Sequence, residues 1–158
     1  MLAIAVMGIA LAGAVALFSV TARHSADPMV QQQAQLIAEA YLDEILIKRF
    51  YDPDTGTVCT GTVEVSRSIY DNVCDYNGLS EAPRTQFTPA IAALSAYNVQ
   101  VTVANAGVAL NGVDNAGAVR VLRVDVTVTG PGSNSATLSG YRTNYECNTA
   151  GDAECKPL

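Results

Sequence analysis

The first twenty-two residues, MLAIAVMGIALAGAVALFSVTA, hold no Asp, Glu, Lys or Arg, and the first charge is Arg23. About twenty apolar residues in a helix rise about 30 Å, the thickness of bilayer hydrocarbon, so the run predicts a membrane-length helix. Its large apolar positions are Leu2, Ile4, Val6, Ile9, Leu11, Val15, Leu17 and Phe18. Two other readings of such a run fit less well. A cleaved export signal opens with Lys or Arg, has a shorter apolar core and ends in an A-x-A-like site. Here no basic segment opens the run, and Thr21-Ala22-Arg23 is a poor cleavage site. A buried core helix of this length and purity is uncommon. Gly8 and Gly13 fit close helix packing as well as they fit the ordinary glycine content of membrane helices.

The pattern changes at Asp27-Pro28. Residues 29–50 read MVQQQAQLIAEAYLDEILIKRF, in which Val30, Ala34, Ile37, Tyr41 and Ile45 recur at helical spacing. Ala38, Leu42 and Leu46 widen that stripe, while Gln31, Gln32, Gln35, Glu39, Asp43 and Lys48 take much of the other face. This is an amphipathic helix with one face for a core, and Val30, Ile37, Tyr41 and Ile45 are the side chains expected to pack on a head. Asp27-Pro28 reads as an N-cap followed by Pro at the first turn. In a continuous helix the same Pro is a kink. The expectation is one helix from the start to about Phe50, with Lys48 and Arg49 in its last turn, where cations suit the helix dipole. Tyr51-Asp52-Pro53 then stops it.

Residues 52–89 carry loop signals. Asp52-Pro53-Asp54-Thr55-Gly56 is a turn by composition, Thr62-Val63-Glu64-Val65 a short strand, and 68–79 irregular or a short helical turn ending at Asn77-Gly78. Strand alternation is clear further on. Val99, Val101 and Val103 share a face within 97–103. Within 118–129, Leu122 interrupts the alternation, and Val124, Val126 and Val128 share a face opposite Arg123, Asp125 and Thr127. Residues 104–117 suit a flexible connection, Gly130-Pro131-Gly132-Ser133-Asn134 a turn, and 135–145 a third strand. Three sequential strands with polar links predict an antiparallel meander with one face needing cover, which the amphipathic helix supplies. The fold class expected is α+β: a long N-terminal helix, apolar then amphipathic, packed on a small antiparallel β-sheet. The division expected is 1–26 for the apolar stalk, 27–51 for the amphipathic half and 52–158 for a disulfide-bonded, β-rich head.

Composition narrows the function classes. Only 15% of the 158 residues are charged and the net charge is −6, with the nine Lys and Arg scattered along the chain. Phosphate binding needs a clustered basic surface, so nucleic acid is not an expected partner. Cys59, Cys74, Cys147 and Cys155 are even in number and follow an export-type apolar segment, which points to disulfides in an oxidising compartment. Four cysteines allow three connectivities. The local pairs Cys59–Cys74 and Cys147–Cys155 are preferred, each stabilising by roughly 2–3 kcal/mol through loop closure. A zinc site would call for close C-x2-4-C knuckles, and neither spacing fits.

With these elements in order, the layout resembles the type IV pilins: an apolar-to-amphipathic helix, an antiparallel sheet, then a C-terminal disulfide loop. Several stretches are similar to the minor pilins of the mannose-sensitive haemagglutinin (MSHA) pilus. They are Ser25-Ala26-Asp27-Pro28-Met29 with Gln31-Gln32-Gln33, Tyr41-Leu42-Asp43-Glu44-Ile45-Leu46 and Val73-Cys74-Asp75-Tyr76-Asn77-Gly78-Leu79. Leu94-Ser95-Ala96-Tyr97 and Leu138-Ser139-Gly140-Tyr141-Arg142-Thr143-Asn144-Tyr145 continue the likeness. Such prepilins carry a basic leader, a Gly cut by a dedicated peptidase, and Phe-Thr-Leu-Ile-Glu. The chain begins with Met1-Leu2-Ala3-Ile4 instead, inside the apolar segment, so that leader is expected upstream of Met1 and the family's stalk glutamate matches no residue here.

The resemblance implies a structural subunit of a pilus, acting in its assembly or initiation and in adhesion, with other pilins and the inner membrane as partners. It implies a single-pass inner-membrane protein with a periplasmic head that joins an extracellular filament. A type II secretion pseudopilin, or an extracytoplasmic binding module on a single-pass anchor, is the alternative. No catalytic residue, small-molecule substrate, cofactor or metal is expected. His24, the single histidine, sits beside Arg23 at the end of the apolar run, where a boundary position accounts for it. Catalysis would need a nucleophile or carboxylate partner that no motif supplies. Asp52, Asp54 and Gly56 faintly resemble the start of a calcium loop, but the further ligands are missing and a plain turn fits better. Because some pilin-like proteins hold calcium in the head, Asp152 and Glu154 are weak second candidates.

Overall fold

The computed structural model describes residues 2–59, 63–105, 119 and 121–144; within the N-terminal helix, side chains are described at 7–8, 11–13 and from 28 onward. The chain is a mixed helix-and-sheet protein. Helix α1 spans Leu2–Leu46 and is followed by four antiparallel strands, β1 (Ser80–Glu81), β2 (Asn98–Asn105), β3 (Val121–Thr129) and β4 (Ser135–Thr143). The strands lie side by side in chain order.

α1 runs through Asp27-Pro28, so Asp27 is not an N-cap. Pro28 has no N–H for the carbonyl one turn back, a loss of about 3 kcal/mol in a helix interior. The helix ends at Leu46 rather than near Phe50, and no basic residue lies in its last turn. The reason is tertiary. The Lys48 N–H closes on the Ile45 carbonyl at 3.0 Å, and the next residue leaves the helical path. Arg49 forms a parallel bridge with Asn72: its N–H donates to Asp71 O at 3.2 Å, and its carbonyl accepts from Val73 N at 3.0 Å. The Lys48 ammonium donates to the Tyr70 carbonyl at 2.7 Å instead of facing the helix end.

The buried face of the sheet is built from cross-strand rows. Val99 pairs with Val128, Val101 with Val126 and Val103 with Val124, and each β3 valine continues onto β4 at Ala136, Leu138 and Gly140. The six valines are all buried. The pair Val121-Leu122, which interrupts the alternation, is buried on both faces: Leu122 joins the row of Val124, and Val121 lies on the opposite side. α1 covers the inner face with Ala34, Ala38, Tyr41 and Ile45 buried and Val30, Ile37, Leu42 and Leu46 half-buried against the same core. Two glycines let it come close. A Cβ on Gly140 would stand 2.9 Å from Leu46 Cδ1 and 3.0 Å from Leu42 Cδ1; one on Gly130 would stand 2.6 Å from the Tyr97 ring. The outer face is polar: Asp125 accepts from Arg123 at 2.9 Å and from Ser139 at 2.5 Å.

The loop region departs from expectation in two places. Val63–Val65 is not a strand; Val63 and Val65 are exposed, and Glu64 makes the inward contact. β1, with two residues, was too short to leave a periodic signal, yet it extends the sheet through Ser80 and Glu81 opposite Gln100 and Val99. The stretch 68–79 holds two short 3-10 turns, Arg67–Ile69 and Val73–Tyr76, and ends at Gly78 with φ +82°. β2 continues to Asn105, into the stretch read as a connection. The rest of that connection, and the C-terminal segment with Cys147 and Cys155, lie outside the described residues.

Candidate functional site

α1 has a second apolar face. Of its described side chains, Met7, Leu11, Met29 and Leu36 are 62–71% exposed. At about 100° per residue these four positions fall within about 40° of one another around a straight helix. Ala34, Ala38, Tyr41 and Ile45, which meet the sheet, fall on roughly the opposite side by the same count. Met29 and Leu36 escaped the sequence reading, which followed the wider stripe through Val30 and Ile37. Their signal was present as the seven-residue step between them and the five helical turns back to Leu11.

Of the other apolar residues assigned to the stalk, Leu2, Ile4, Val6, Ile9, Val15, Leu17 and Phe18 lie on α1 with side chains outside the described set, as does His24. Apart from the chain neighbours and the helix's own backbone, no heavy atom stands within 4 Å of a Cβ built on Gly8 or Gly13. Among the described residues no helix is long and apolar enough to cross a membrane. The expectation of a spanning segment over 1–26 falls mostly on side chains beyond that set.

Beside Leu36 the outer face of α1 meets a groove of about 340 Å³, walled by Leu36, Ile37, Pro83, Ile91 and Leu94. At its floor lies a buried ionic knot. Arg67, 3% exposed, points its guanidinium into the helix–sheet junction. Its Nε and Nη2 donate to the two oxygens of Glu44 on α1, at 3.0 and 2.5 Å. Its Nη1 reaches Glu81 on β1 at 2.6 Å, the Tyr41 hydroxyl at 2.9 Å and the Arg84 carbonyl at 3.0 Å. The guanidinium carbon also lies 4.1 Å from the Tyr41 ring centroid. Tyr76 donates its hydroxyl to Glu44 at 2.7 Å, and Arg84 pairs with the outer oxygen of Glu81.

Burial by itself would lower the Arg67 pKa, but the Glu44 hydrogen bonds and the charges of Glu44 and Glu81 hold it above its ordinary value. Burial pushes Tyr41 and Tyr76 up, and the Glu44 contact adds to the rise at Tyr76. Arg67 is thus held cationic and Tyr41 and Tyr76 neutral. That chemistry fastens α1 to the loop; it does not activate a nucleophile. Glu44 was legible as the i+3 neighbour of Tyr41 at the stripe's edge. Its partners Arg67 and Tyr76, 23 and 32 residues further on, were not.

The turn after α1 has a structural account. Asp52, 6% exposed, accepts from Asp54 N at 2.8 Å and Thr55 N at 3.3 Å with one oxygen, and from the Thr55 hydroxyl at 2.8 Å with the other. The Thr55 hydroxyl bond, with the backbone donors behind it, lowers the Asp52 pKa. Its lone pairs serve the turn, and Gly56 takes the left-handed conformation at φ +68°. Asp152 and Glu154 lie outside the described residues.

Cys59 and Cys74 form a disulfide. It ties the strand-less arm after Asp52 to the buried Val73–Tyr76 turn, where Asn72 and Asp75 make a reciprocal capping box. The Cys147–Cys155 pairing falls beyond the described residues. In comparisons with protein families, with curated proteins and with solved structures, nothing matches this chain.

Proposed function

We propose that this chain is a minor-pilin-like structural subunit of a type IV pilus of the MSHA kind, similar in its quoted stretches to the MshD-like minor pilins. In this reading α1 serves twice: its inner face carries the head, and its outer face joins other pilin subunits. The observation that carries the reading is the second apolar face, with Met29 and Leu36 exposed on the amphipathic half in line with Met7 and Leu11 on the apolar half. A helix whose only task is to cover a sheet needs one apolar stripe. A helix that also packs against neighbours needs the opposite side apolar as well.

The apolar half is proposed to anchor the subunit in the inner membrane before assembly, with the head in the periplasm. Each large side chain taken from lipid into water costs roughly 1.5–3 kcal/mol, so extraction requires partner helices to replace the lipid. The role is structural, without catalysis or a cofactor.

The test is restoration of pili in a strain lacking this protein. Val15→Asp, Leu11→Asp and Leu36→Asp variants should keep a folded, disulfide-bonded head and fail to support assembly. If a head lacking residues 1–26, delivered to the periplasm, restored pili, α1 would not be the assembly element. The binding module on a single-pass anchor would then be the better account. A secretion pseudopilin would be indicated if the chain restored type II secretion and left piliation unchanged.

A further inference from the structure

β4 is the outer strand of the sheet, and among the described residues no strand lies on its far side. The hairpin fixes which of its backbone groups face that way. Gly130 N donates to the Asn134 carbonyl at 2.8 Å, and the register runs on from this pair as Val128 opposite Ala136, Val126 opposite Leu138, Val124 opposite Gly140 and Leu122 opposite Arg142. Bonded and unbonded pairs alternate in an antiparallel ladder, so these four β4 residues turn their N–H and C=O groups to β3. Ser135, Thr137, Ser139, Tyr141 and Thr143 turn theirs outward, and all five are exposed. Among the described residues no hydrogen bond from beyond β3 reaches their backbone. A long open edge is ordinarily guarded by charge, proline, a bulge or shortness. The opposite edge is guarded: β1 has two residues, Pro83 lies just beyond it, and Asn77, Gly78 and Leu79 close the stretch beside it by bonds to Val101 and Val103. β4 has none of these devices. It has nine residues, an unbroken register and no Pro, Asp, Glu or Lys. Its one charge, Arg142, is 5% exposed, with Nε donating to the Lys48 carbonyl at 2.9 Å.

A row of unpaired amides and carbonyls defines its own complement, which is another extended backbone. We propose that β4 is a docking edge, to which an extended, uncharged segment of a partner protein adds as a further strand. Alternate side chains of that segment fall on the helix side of the sheet and the others on its outer face. On the helix side, a cleft of about 530 Å³ opens at the start of the edge, between Gln31, Gln32 and Gln35 of α1 and the first four residues of β4. On the outer face the neighbours are the hydroxyls of Ser135, Thr137, Ser139, Tyr141 and Thr143. The charges beside these rows have partners: Arg123 pairs with Asp125 at 2.9 Å, and Glu39 accepts from Gln35 at 3.0 Å. Carboxamides and hydroxyls donate and accept without charge, so Asn, Gln, Ser and Thr suit the incoming strand, while Lys or Glu would lose hydration without a counter-ion. A second copy fits less well. α1 and β4 run the same way, with Gln31 and Gln35 beside the start of β4, Leu42 and Leu46 at Gly140, and Lys48 at Arg142. An antiparallel β4 from another copy would send two apolar halves of α1 in opposite directions, which one membrane does not accommodate; this exclusion rests on the anchoring role proposed above.

The experiment uses the full oxidised chain in detergent micelles and follows amide exchange along β4 by NMR. The probe is a synthetic, end-blocked peptide alternating threonine and glutamine, matched to β4 in length. In the chain alone, the amides of Ala136, Leu138, Gly140 and Arg142 should exchange slowly and those of Ser135, Thr137, Ser139, Tyr141 and Thr143 fast. With peptide at about ten times its Kd, the outward five should slow by about tenfold and the inward four should not change. The same peptide N-methylated at alternate residues keeps its side chains and loses its donors, and it should have no effect. Ser139→Pro, which removes an outward N–H and spares the β3 ladder, should abolish the response while the inward amides stay protected. The N-methylated peptide keeps the test decisive if that variant does not fold. Outward amides already slow in the chain alone would overturn the proposal, because the edge would be covered from within or, if the slowing grew with chain concentration, by a second copy. No slowing at millimolar peptide, or equal slowing by the N-methylated peptide, would overturn it as well. None of these outcomes depends on piliation, so failure here and failure of the pilus reading are separable.

Discussion

At the scale of single residues, the groups that matter most are polar ones taken out of water. Arg67 is the centre: it holds two carboxylates, a tyrosine hydroxyl and a backbone carbonyl around one guanidinium. Removing one partner of a buried ion pair leaves the others unpaired, at a cost of about 3–5 kcal/mol. Arg67→Met should therefore lower unfolding stability by about that much in urea titrations of the head at neutral pH. A loss below about 1 kcal/mol, typical of surface pairs, would show the knot to be incidental. Lysine should not rescue, because a point charge cannot reproduce the two-pronged contact with Glu44. Asp52 gives a prediction with a pH sign. Its pKa is lowered in the folded chain, so its contribution is present above the unfolded value and is lost as pH falls through the folded one. Asp52→Asn should cost about 1.5–3 kcal/mol at neutral pH, and the gap from the unaltered chain should close in strong acid.

At the scale of elements, the helix–sheet contact depends on positions that have no side chain. Gly130 has an ordinary φ of −110°, so its requirement is one of space. A methyl there meets the Tyr97 ring at 2.6 Å, and that ring is held by its hydroxyl bond to Gln33 at 2.6 Å. Gly130→Ala should destabilise by about 1–3 kcal/mol, as overpacking does, and should shift the Tyr97 ring resonances. The same substitution at Gly8, with nothing beyond its own helix backbone within 4 Å, should leave the folding of the head unchanged. The alternation of β2 and β3 and the stripe on α1 were readable because each repeats its period several times. The end of α1 was not, because the carbonyl and N–H of Arg49 find partners at Asp71 and Val73 that no local pattern announces. The reading of 62–65 as a strand failed for a related reason. Alternating valines there face solvent, and the segment is tied by Cys59–Cys74 rather than by a ladder.

At the scale of the whole molecule, Pro28 marks a division of labour within one helix. From Val30 onward one face of the helix is committed to the core, whereas the described side chains before Pro28 are exposed. A fragment beginning near Asp27 should therefore be soluble and should unfold cooperatively, as measured by calorimetry. Asp27 would then cap a new N-terminus with Pro28 in its first turn, the role that dipeptide favours at a free helix start. Aggregation of that fragment, or a broad transition, would mean that the head relies on residues 1–26 for its fold.

Periodicity alone determined the helix, the three long strands and the side chains by which they meet, since a one-sided apolar pattern has few ways to leave water. The even cysteine count and their spacing pointed to the Cys59–Cys74 link. The ion-pair knot and the stop after Leu46 were decided only in three dimensions. Each joins single residues far apart in the chain, and a contact made once leaves no repeat in the sequence to read.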